Sequence, residues 1–569
     1  MANAGLKRAL GEAYGAAGAA GATGGASKLN MKKYAAIIIL AGLLAYLPSF
    51  KGVMLLDDFR SINADTVGSV HKAVHCGLFR SHPLVGLSFV ANWKISGDKT
   101  WSYHEVNLLI HLLAGLFLFG IIRRTLLICK YAEREALWLA MLSAILWTIH
   151  PLNTQAVTYI VQRTECLMGM MYLATVYCLI RGWLFFALCA CAAGMGCKEV
   201  MLTAPLMALL YDRTFLSGTF KSALRRRWLF YPALFTTAAF PIWAHFTSQC
   251  TYGAGFKAAG IDPLDYAATE TGVILHYLRL AVLPIGQCFD YGWPVTQSRN
   301  APLFATNAIL TMLAMSVWLV VRRPAAGFLA AWFFSILAIT SSFVPIIDPA
   351  FEQRMYLSLV AVIVGVILAG HWGWNRLASG LTLPKLAQWR LLGWQAAILA
   401  VLALSWGTWT RNMLYCDNIT LYGDAVSTGF PNARARSNYG LALMGQGRFA
   451  EAEGELRTAL QICPTYWYAA QNLATTLIAS GKSTPWDMNN VCGLPLMASG
   501  KYAEAETLFR EAVRIDPKYW AAWFNIGKCA QCQGHYAAAV VAYRESQTLN
   551  PKYPQTGPAL ELALSGRQP

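Results

Sequence analysis

Long apolar runs recur along the first 410 positions of the chain and then stop. A helix needs ~20 apolar residues to cross a bilayer. Runs near this length lie, for example, at positions 34–50, 106–122, 228–246, 303–321 and 391–409. No such run follows Tyr415. The pattern predicts an all-α protein with a polytopic membrane part and a C-terminal part of a different kind.

Counting the apolar runs predicts about eleven crossings. We expect them near 34–50, 104–124, 135–150, 165–181, 183–197, 199–212, 228–247, 303–321, 325–345, 355–373 and 391–410. The stretch 264–284 is interpreted as a re-entrant or interfacial helix that ends at Pro284. Counting it as a crossing would put Arg322 and Arg323 on the wrong side of the membrane.

Charge gives the orientation of these spans. Hydrophobic residues make up 56% of the chain and charged residues only 13%, and the net charge is +17. An ordinary soluble domain has roughly 25% charged residues. The basic residues lie mostly between apolar runs, so they indicate cytoplasmic turns under the positive-inside rule rather than nucleic-acid binding. The groups are Lys28–Lys33, Arg123–Arg134, Lys221–Arg227, Arg322–Arg323 and Arg376–Arg390.

An N-terminus on the cytoplasmic side and an odd number of crossings place the C-terminal part outside the cytoplasm. Residues 1–33 start with a stretch rich in Gly and Ala, which predicts a disordered cytoplasmic tail. Residues 34–415 form the predicted transmembrane domain, and residues 416–569 the predicted external domain.

The external part contains three copies of one spacing pattern. The copies are Gly440, Gly447, Phe449, Ala452, Leu456, Ala459 and Pro464; Gly493, Gly500, Tyr502, Ala505, Phe509, Ala512 and Pro517; and Gly527, Gly534, Tyr536, Ala539, Tyr543 and Pro551. Pro517 and Pro551 lie 34 positions apart, which is the tetratricopeptide-repeat period. The offset between the first two copies is 53. The extra residues around 467–481 predict a lone first helix without its partner.

Polar and acidic motifs punctuate the membrane part. They lie at 55–59, 80–84, 103–113, 150–163, 198–199, 289–294 and 351–357. In this order, and followed by the repeats, they resemble the integral-membrane glycosyltransferases of the GT-C superfamily. The nearest likeness is to bacterial relatives of the transmembrane and tetratricopeptide-repeat-containing O-mannosyltransferases.

The resemblance implies transfer of a sugar from a polyprenyl-phosphate donor on the external face, with an acidic pair in the first external loop as catalytic residues. The pair here is Asp57 and Asp58. An inverting transfer needs one carboxylate to take the proton of the acceptor hydroxyl. Asp58 is predicted to be this base because it lies farther from the span. Asp57 would support it, or would hold a divalent metal if one is used.

The leaving phosphate needs cations rather than a general acid. The predicted donor-phosphate ligands are Arg163, Lys198 and Arg354, with Glu199, Asp290 and Glu352 as supporting residues. The alternative is that these cations snorkel or form ion pairs, Lys198 with Glu199 and Arg354 with Glu352. His104, His111 and His150 have no metal-ligand spacing, so packing or hydrogen bonding is expected of them.

The leading hypothesis is transfer of a hexose, with mannose expected, to Ser or Thr of exported proteins that the repeats present. The alternatives are the same chemistry with a lipid or polysaccharide acceptor, or a non-catalytic membrane scaffold that recruits envelope proteins. The repeat array is shorter than that of the animal proteins, which favours a bacterial inner membrane with a periplasmic catalytic face. The alternative location is the endoplasmic reticulum membrane, with a luminal catalytic face.

Overall fold

The computed structural model describes residues 24–75, 81–247, 260–297, 302–378 and 383–568. The regular elements of these residues are helices, which confirms the all-α prediction. The chain forms two compact units. The first comprises Met1–Gln287 and Val295–Cys416, and the second comprises Cys288–Pro294 and Asp417–Pro569. A short segment from the middle of the chain therefore belongs to the C-terminal unit, which the sequence did not predict.

The first unit is built of helices. Its helices are Gly24–Tyr46, Asp57–Ser61, Ala64–Val67, Val70–His75, Pro83–Ser96, Trp101–Ile128, Glu133–Thr148, Thr154–Thr158, Arg163–Arg181, Leu184–Met195, Ala204–Tyr211, Phe220–Arg226, Phe230–Thr236, Ala239–Thr247, Pro263–Val282, Leu303–Arg322, Pro324–Leu337, Met355–Ala378 and Leu383–Leu414.

Five helices in the described residues are long and apolar enough to cross a membrane, and a bent pair makes a sixth. They are Met31–Lys51, Trp101–Ile128, Leu303–Arg322, Glu352–Ala378 and Leu391–Leu414, with the pair Glu133–Thr148 and Pro151–Thr158 bent by 51°. The predicted eleven crossings are not confirmed. Several expected spans are shorter or broken helices, because prolines and turns interrupt them.

The helix at the predicted re-entrant stretch begins at Pro263 and ends at Val282, just before Pro284. The Asp262 side chain caps it by accepting hydrogen bonds from the N–H groups of Leu264 and Asp265. The helix end at the proline is thus observed. Whether the helix is re-entrant stays a prediction.

The second unit consists of antiparallel helix pairs, as the repeats predict. Its helices are Asn418–Thr428, Ala433–Gly445, Phe449–Ile462, Trp467–Ala479, Leu494–Ala498, Tyr502–Ile515, Trp520–Cys532, Tyr536–Leu549 and Thr556–Leu564. The repeat glycines let paired helices approach closely. A Cβ atom on Gly527, for example, would lie 2.7 Å from the Tyr543 ring.

The helix Trp467–Ala479 has no second helix of its own. The chain turns after it and enters a π-helical segment, Asp487–Gly493, which leads into the first helix of the next pair. The 53-residue offset therefore corresponds to one added helix between the first and second pairs.

Candidate active site

The acidic pair lies in a short turn just outside the first long helix. After the turn Leu47–Lys51 the chain runs extended and then enters the five-residue helix Asp57–Ser61. Leu56, directly before the pair, has φ 36°, a left-handed value that is uncommon for a residue with a side chain. Such strain persists only where the surroundings enforce it, and it clusters at functional sites.

Asp58 enforces this turn. Its carboxylate accepts hydrogen bonds from the N–H of Leu55 at 2.9 Å and from the N–H of Val161 at 2.7 Å, and its side chain is fully buried. Burial raises the pKa of Asp58 to about 8, although the backbone donors act to lower it. The carboxylate therefore joins the segment 55–58 to the turn Ile160–Gln162.

Asp57 is exposed. Its backbone N–H donates to the Tyr159 hydroxyl at 3.2 Å, which fixes the main chain and leaves the carboxylate facing outward. The sequence prediction assigned the base to Asp58. The structure encloses that carboxylate and exposes its neighbour, because adjacent residues at a helix start point in different directions. Of the two carboxylates, the one open to solvent is therefore that of Asp57, and the choice of Asp58 as base stays a prediction.

Arg163 is a fully buried cation that donates four hydrogen bonds. Nε donates to Asn107 Oδ1 at 2.6 Å, Nη1 to Asn92 Oδ1 at 2.6 Å and Ser88 Oγ at 3.1 Å, and Nη2 to the Tyr103 carbonyl at 3.1 Å. These contacts tie the helices Pro83–Ser96 and Trp101–Ile128 to the start of Arg163–Arg181. In the structure Arg163 holds these helices together, and its predicted role as a phosphate ligand stays a prediction.

Arg354 is also enclosed. It donates to the carbonyls of Pro349, Thr340 (3.3 Å) and Asp348 (2.5 Å), and its ion-pair partner is Glu270 at 3.6 Å. The alternative pairing of Arg354 with Glu352 is therefore not what the structure shows.

Glu352 is fully buried and has other partners. It accepts a hydrogen bond from Gln287 Nε2 at 2.8 Å and lies 3.7 Å from Arg411 Nη2. Arg411, near the end of the last long helix, was not among the sequence candidates.

Lys198 differs from the two arginines because its side chain is 19% exposed. Its ammonium forms an ion pair with buried Glu165, not with Glu199, which is exposed. An ammonium has three donors, so this single carboxylate leaves capacity for a ligand.

His82 adds a polar group that the sequence did not assign. Burial lowers the pKa of His82, while Glu199 and Lys198 are near enough to shift it in opposite directions. Its Nδ1 is buried without a hydrogen-bond partner among the described residues. The sequence signal was present, because His82 lies in one of the quoted motifs.

The segment 159–165 connects these groups. Tyr159 and Val161 contact the acidic pair, Arg163 fixes the segment to the bundle, and Glu165 holds Lys198. The arrangement offers an exposed carboxylate and a partly exposed ammonium on one supporting segment. Such groups are able to accept a proton and to stabilise an anion.

Asp290 lies in the second unit, where its buried carboxylate accepts two hydrogen bonds from Arg434, each of 2.7 Å. The Phe430 N–H also donates to the Tyr291 carbonyl at 2.9 Å. Asp290 thus anchors the segment 288–294 on the first helices of this unit. Its predicted supporting role stays a prediction, and the contacts observed here are structural.

The three histidines of which packing or hydrogen bonding was expected contact backbone or side-chain groups. His104 Nε2 lies 3.1 Å from the Gly52 carbonyl, and His111 lies 2.8 Å from the Tyr356 hydroxyl. His150 Nε2 lies 3.2 Å from the Ala281 carbonyl. Within the described part of the chain, no three His, Cys, Asp or Glu side chains are grouped closely enough to hold a metal ion.

Comparisons with known proteins agree with the motifs. The tetratricopeptide repeat family model matches residues 419–466 and 493–554. The chain is 23% identical over 512 residues to protein O-mannosyl-transferase TMTC1 of Homo sapiens, covering 78% of this chain and 56% of that protein. It is 22% identical over 527 residues to protein O-mannosyl-transferase TMTC3 of Homo sapiens, covering 79% of this chain and 55% of that protein.

A third relative is protein O-mannosyl-transferase Tmtc2 of Drosophila melanogaster, 33% identical over 228 residues, with 37% of this chain and 24% of that protein covered. The chain spans about half the length of the two human relatives. It resembles proteins named O-mannosyl-transferases over most of its own length, which confirms the resemblance that the motifs indicated.

Proposed function

We propose that the protein is an inverting glycosyltransferase that moves mannose from a polyprenyl-phosphate carrier to Ser or Thr of exported proteins. The observation that carries the proposal is the exposed carboxylate of Asp57, which buried Asp58 and the Tyr159 hydroxyl hold at a strained turn. The named relatives support the sugar and the protein acceptor. The repeats support binding of a protein.

In the proposed reaction, the oxygen of the acceptor hydroxyl bonds to the anomeric carbon of mannose. Asp57 takes the proton that this hydroxyl loses. The bond from that carbon to the phosphate oxygen breaks, and the polyprenyl phosphate leaves with the electron pair. Lys198 stabilises the departing phosphate, and His82 lies beside it as a second polar contact. Asp58 does not react; it positions its neighbour.

The proposed location follows from charge. The acidic pair and the repeats lie on the external side of a membrane whose cytoplasmic turns carry the arginines. The short repeat array favours the bacterial inner membrane with a periplasmic catalytic face. Labelling of single cysteines introduced at Asp65 and at Glu504 by an impermeant reagent tests this. Labelling from opposite sides of the membrane would refute both topology and mechanism.

The function is tested with purified full-length protein in proteoliposomes, given polyprenyl-phosphate mannose and a Ser/Thr peptide. Asp57→Asn should lower turnover by about 10²–10⁴-fold, as removal of a general base does. The matched control is Asp65→Asn, an acid in the same loop whose side chain is 94% exposed. Asp58→Asn should lower turnover less and leave the KM for the donor unchanged.

Each other outcome has a defined meaning. If Asp58→Asn is inactive and Asp57→Asn is active, Asp58 is the base, as the sequence prediction assigned it. Mannose recovered on lipid or glycan instead of peptide would point to the other acceptor class. Absence of any transfer by the wild type under these conditions would favour the scaffold.

A further inference from the structure

A large cavity lies in the first unit, away from the candidate active site. It is formed between the helices Glu133–Thr148, Met355–Ala378 and Leu383–Leu414. Its volume is about 720 Å³, within the ~300–1,000 Å³ range of small-molecule sites. The first turns of the helix Glu133–Thr148 line this cavity, and the polar motif 150–163 follows the opposite end of the same helix. About 20 Å along the helix axis separates the two. This cavity is separate from the candidate active site.

One wall of the cavity carries opposite charges. Glu135 and Arg134 both line it, and Glu135 Oε1 lies 2.5 Å from His371 Nε2. The Glu135 side chain remains 31% exposed, so its carboxylate has capacity for a further donor. A ligand here meets a cation and a carboxylate side by side.

The adjoining walls carry indole rings. The Trp138 ring lies 5.2 Å from the His371 ring and 5.6 Å from the Trp394 ring. Trp374 also lines the cavity and stacks on Trp389 at 4.3 Å, which holds it in place. Indole faces attract ammonium groups, and tryptophan favours the interface between lipid and water.

The surroundings indicate a lipid. Only 6% of the apolar window of Leu391–Leu414 is buried inside the described part of the protein, which is the pattern expected of a helix that faces lipid. Its side of the cavity presents small and apolar groups, including Gly393, Ala396 and Ala397, which an acyl chain is able to cover. The basic residues of the neighbouring turns predict that this end lies at the cytoplasmic interface.

We propose that this cavity binds a phospholipid whose headgroup carries an ammonium group. The phosphate contacts Arg134, and the ammonium lies between the Glu135 carboxylate and the faces of Trp138 and Trp394. The acyl chains run along the small-residue face of the helix Leu391–Leu414.

The test uses the full-length protein purified in mild detergent, with native mass spectrometry to measure lipid binding. Phosphatidylethanolamine and phosphatidylcholine should bind about tenfold more tightly than phosphatidylglycerol, which has the phosphate but lacks the ammonium. Equal affinity for all three lipids, or no bound lipid at all, would overturn the proposal. This comparison needs no variant, so it does not depend on whether a variant folds.

Variants then locate the site. Glu135→Gln and Trp394→Ala should each remove most of the preference for the ammonium headgroup. The matched controls are Glu133→Gln and Trp406→Ala, whose side chains are 64% and 69% exposed and do not line the cavity. If the controls lower binding as much as the site variants do, the lipid binds elsewhere and the assignment fails.

Discussion

Replacement of Arg163 by methionine distinguishes a positioning residue from a phosphate ligand. The guanidinium donates to two buried acceptors, Asn92 Oδ1 and Asn107 Oδ1, each at 2.6 Å. Methionine fills much of the space but donates no hydrogen bond. Each buried acceptor left unsatisfied costs about 1–3 kcal/mol, so the pair predicts a loss of about 2–6 kcal/mol in the free energy of unfolding.

We expect a value in the lower half of that range, because removal of the buried charge also relieves its desolvation. Activity should fall as well. Asn107 Nδ2 donates to the carbonyls of Val157 at 3.1 Å and Ile160 at 3.3 Å, next to the N–H group that holds Asp58. A small shift of this segment moves Asp57, and misplacement by 1 Å lowers rates by about 10²-fold.

The assay combines unfolding in mixed micelles, followed by tryptophan fluorescence, with steady-state kinetics for the donor. Arg163→Met should lower stability and kcat while leaving the KM for the donor unchanged. Arg181→Met, at the exposed end of the same helix, is the matched control. Unchanged stability together with a tenfold higher KM would refute the positioning role and restore Arg163 as a phosphate ligand.

Three further predictions concern the other charged groups. Lys198→Met is combined with Glu165→Gln so that no buried acid is left unpaired, and the double variant should raise the KM for the donor about tenfold or more at wild-type stability. The reason is that a hydrogen bond to a charged group contributes about 1.5–3 kcal/mol. An unchanged KM would place the phosphate elsewhere. Arg354→Lys should lower the unfolding temperature without changing the KM, because lysine cannot reproduce the contacts to several carbonyls; a higher KM at full stability would contradict this. Arg434→Lys should speed hydrogen exchange of the amides around Asp290, since it breaks a two-bond contact to a buried carboxylate; wild-type exchange would show that other contacts hold the segment.

Sequence patterning was most informative where a local rule applies. The repeat glycines, aromatics and prolines occupy fixed offsets, so the helix pairs and the added helix at 467–479 were readable from spacing alone. Proline marked the end of the helix Pro263–Val282 for the same reason. Counting spans was less successful, because overall apolarity does not tell a continuous helix from two short helices joined by a turn.

The candidate site shows more clearly what the sequence alone does not predict. The sequence indicated the acidic pair, the cations and the motif that contains His82, because charged groups between apolar runs are conspicuous. The sequence did not predict in which direction these side chains point or which groups they contact. Lys198 pairs with Glu165 rather than with its neighbour Glu199, and Arg354 pairs with Glu270 rather than with Glu352.

The sequence by itself therefore determined the helical class, the change from membrane part to repeats, and the set of residues from which a site could be built. Tertiary structure decided which of these residues are enclosed and which are open. Burial and hydrogen bonding depend on contacts between segments that are far apart in the sequence. For example, the Val161 N–H donates to the buried Asp58 carboxylate, while Asp57 stays exposed. Two adjacent aspartates are chemically identical in the sequence, and only their different surroundings leave one carboxylate exposed and the other buried and hydrogen-bonded.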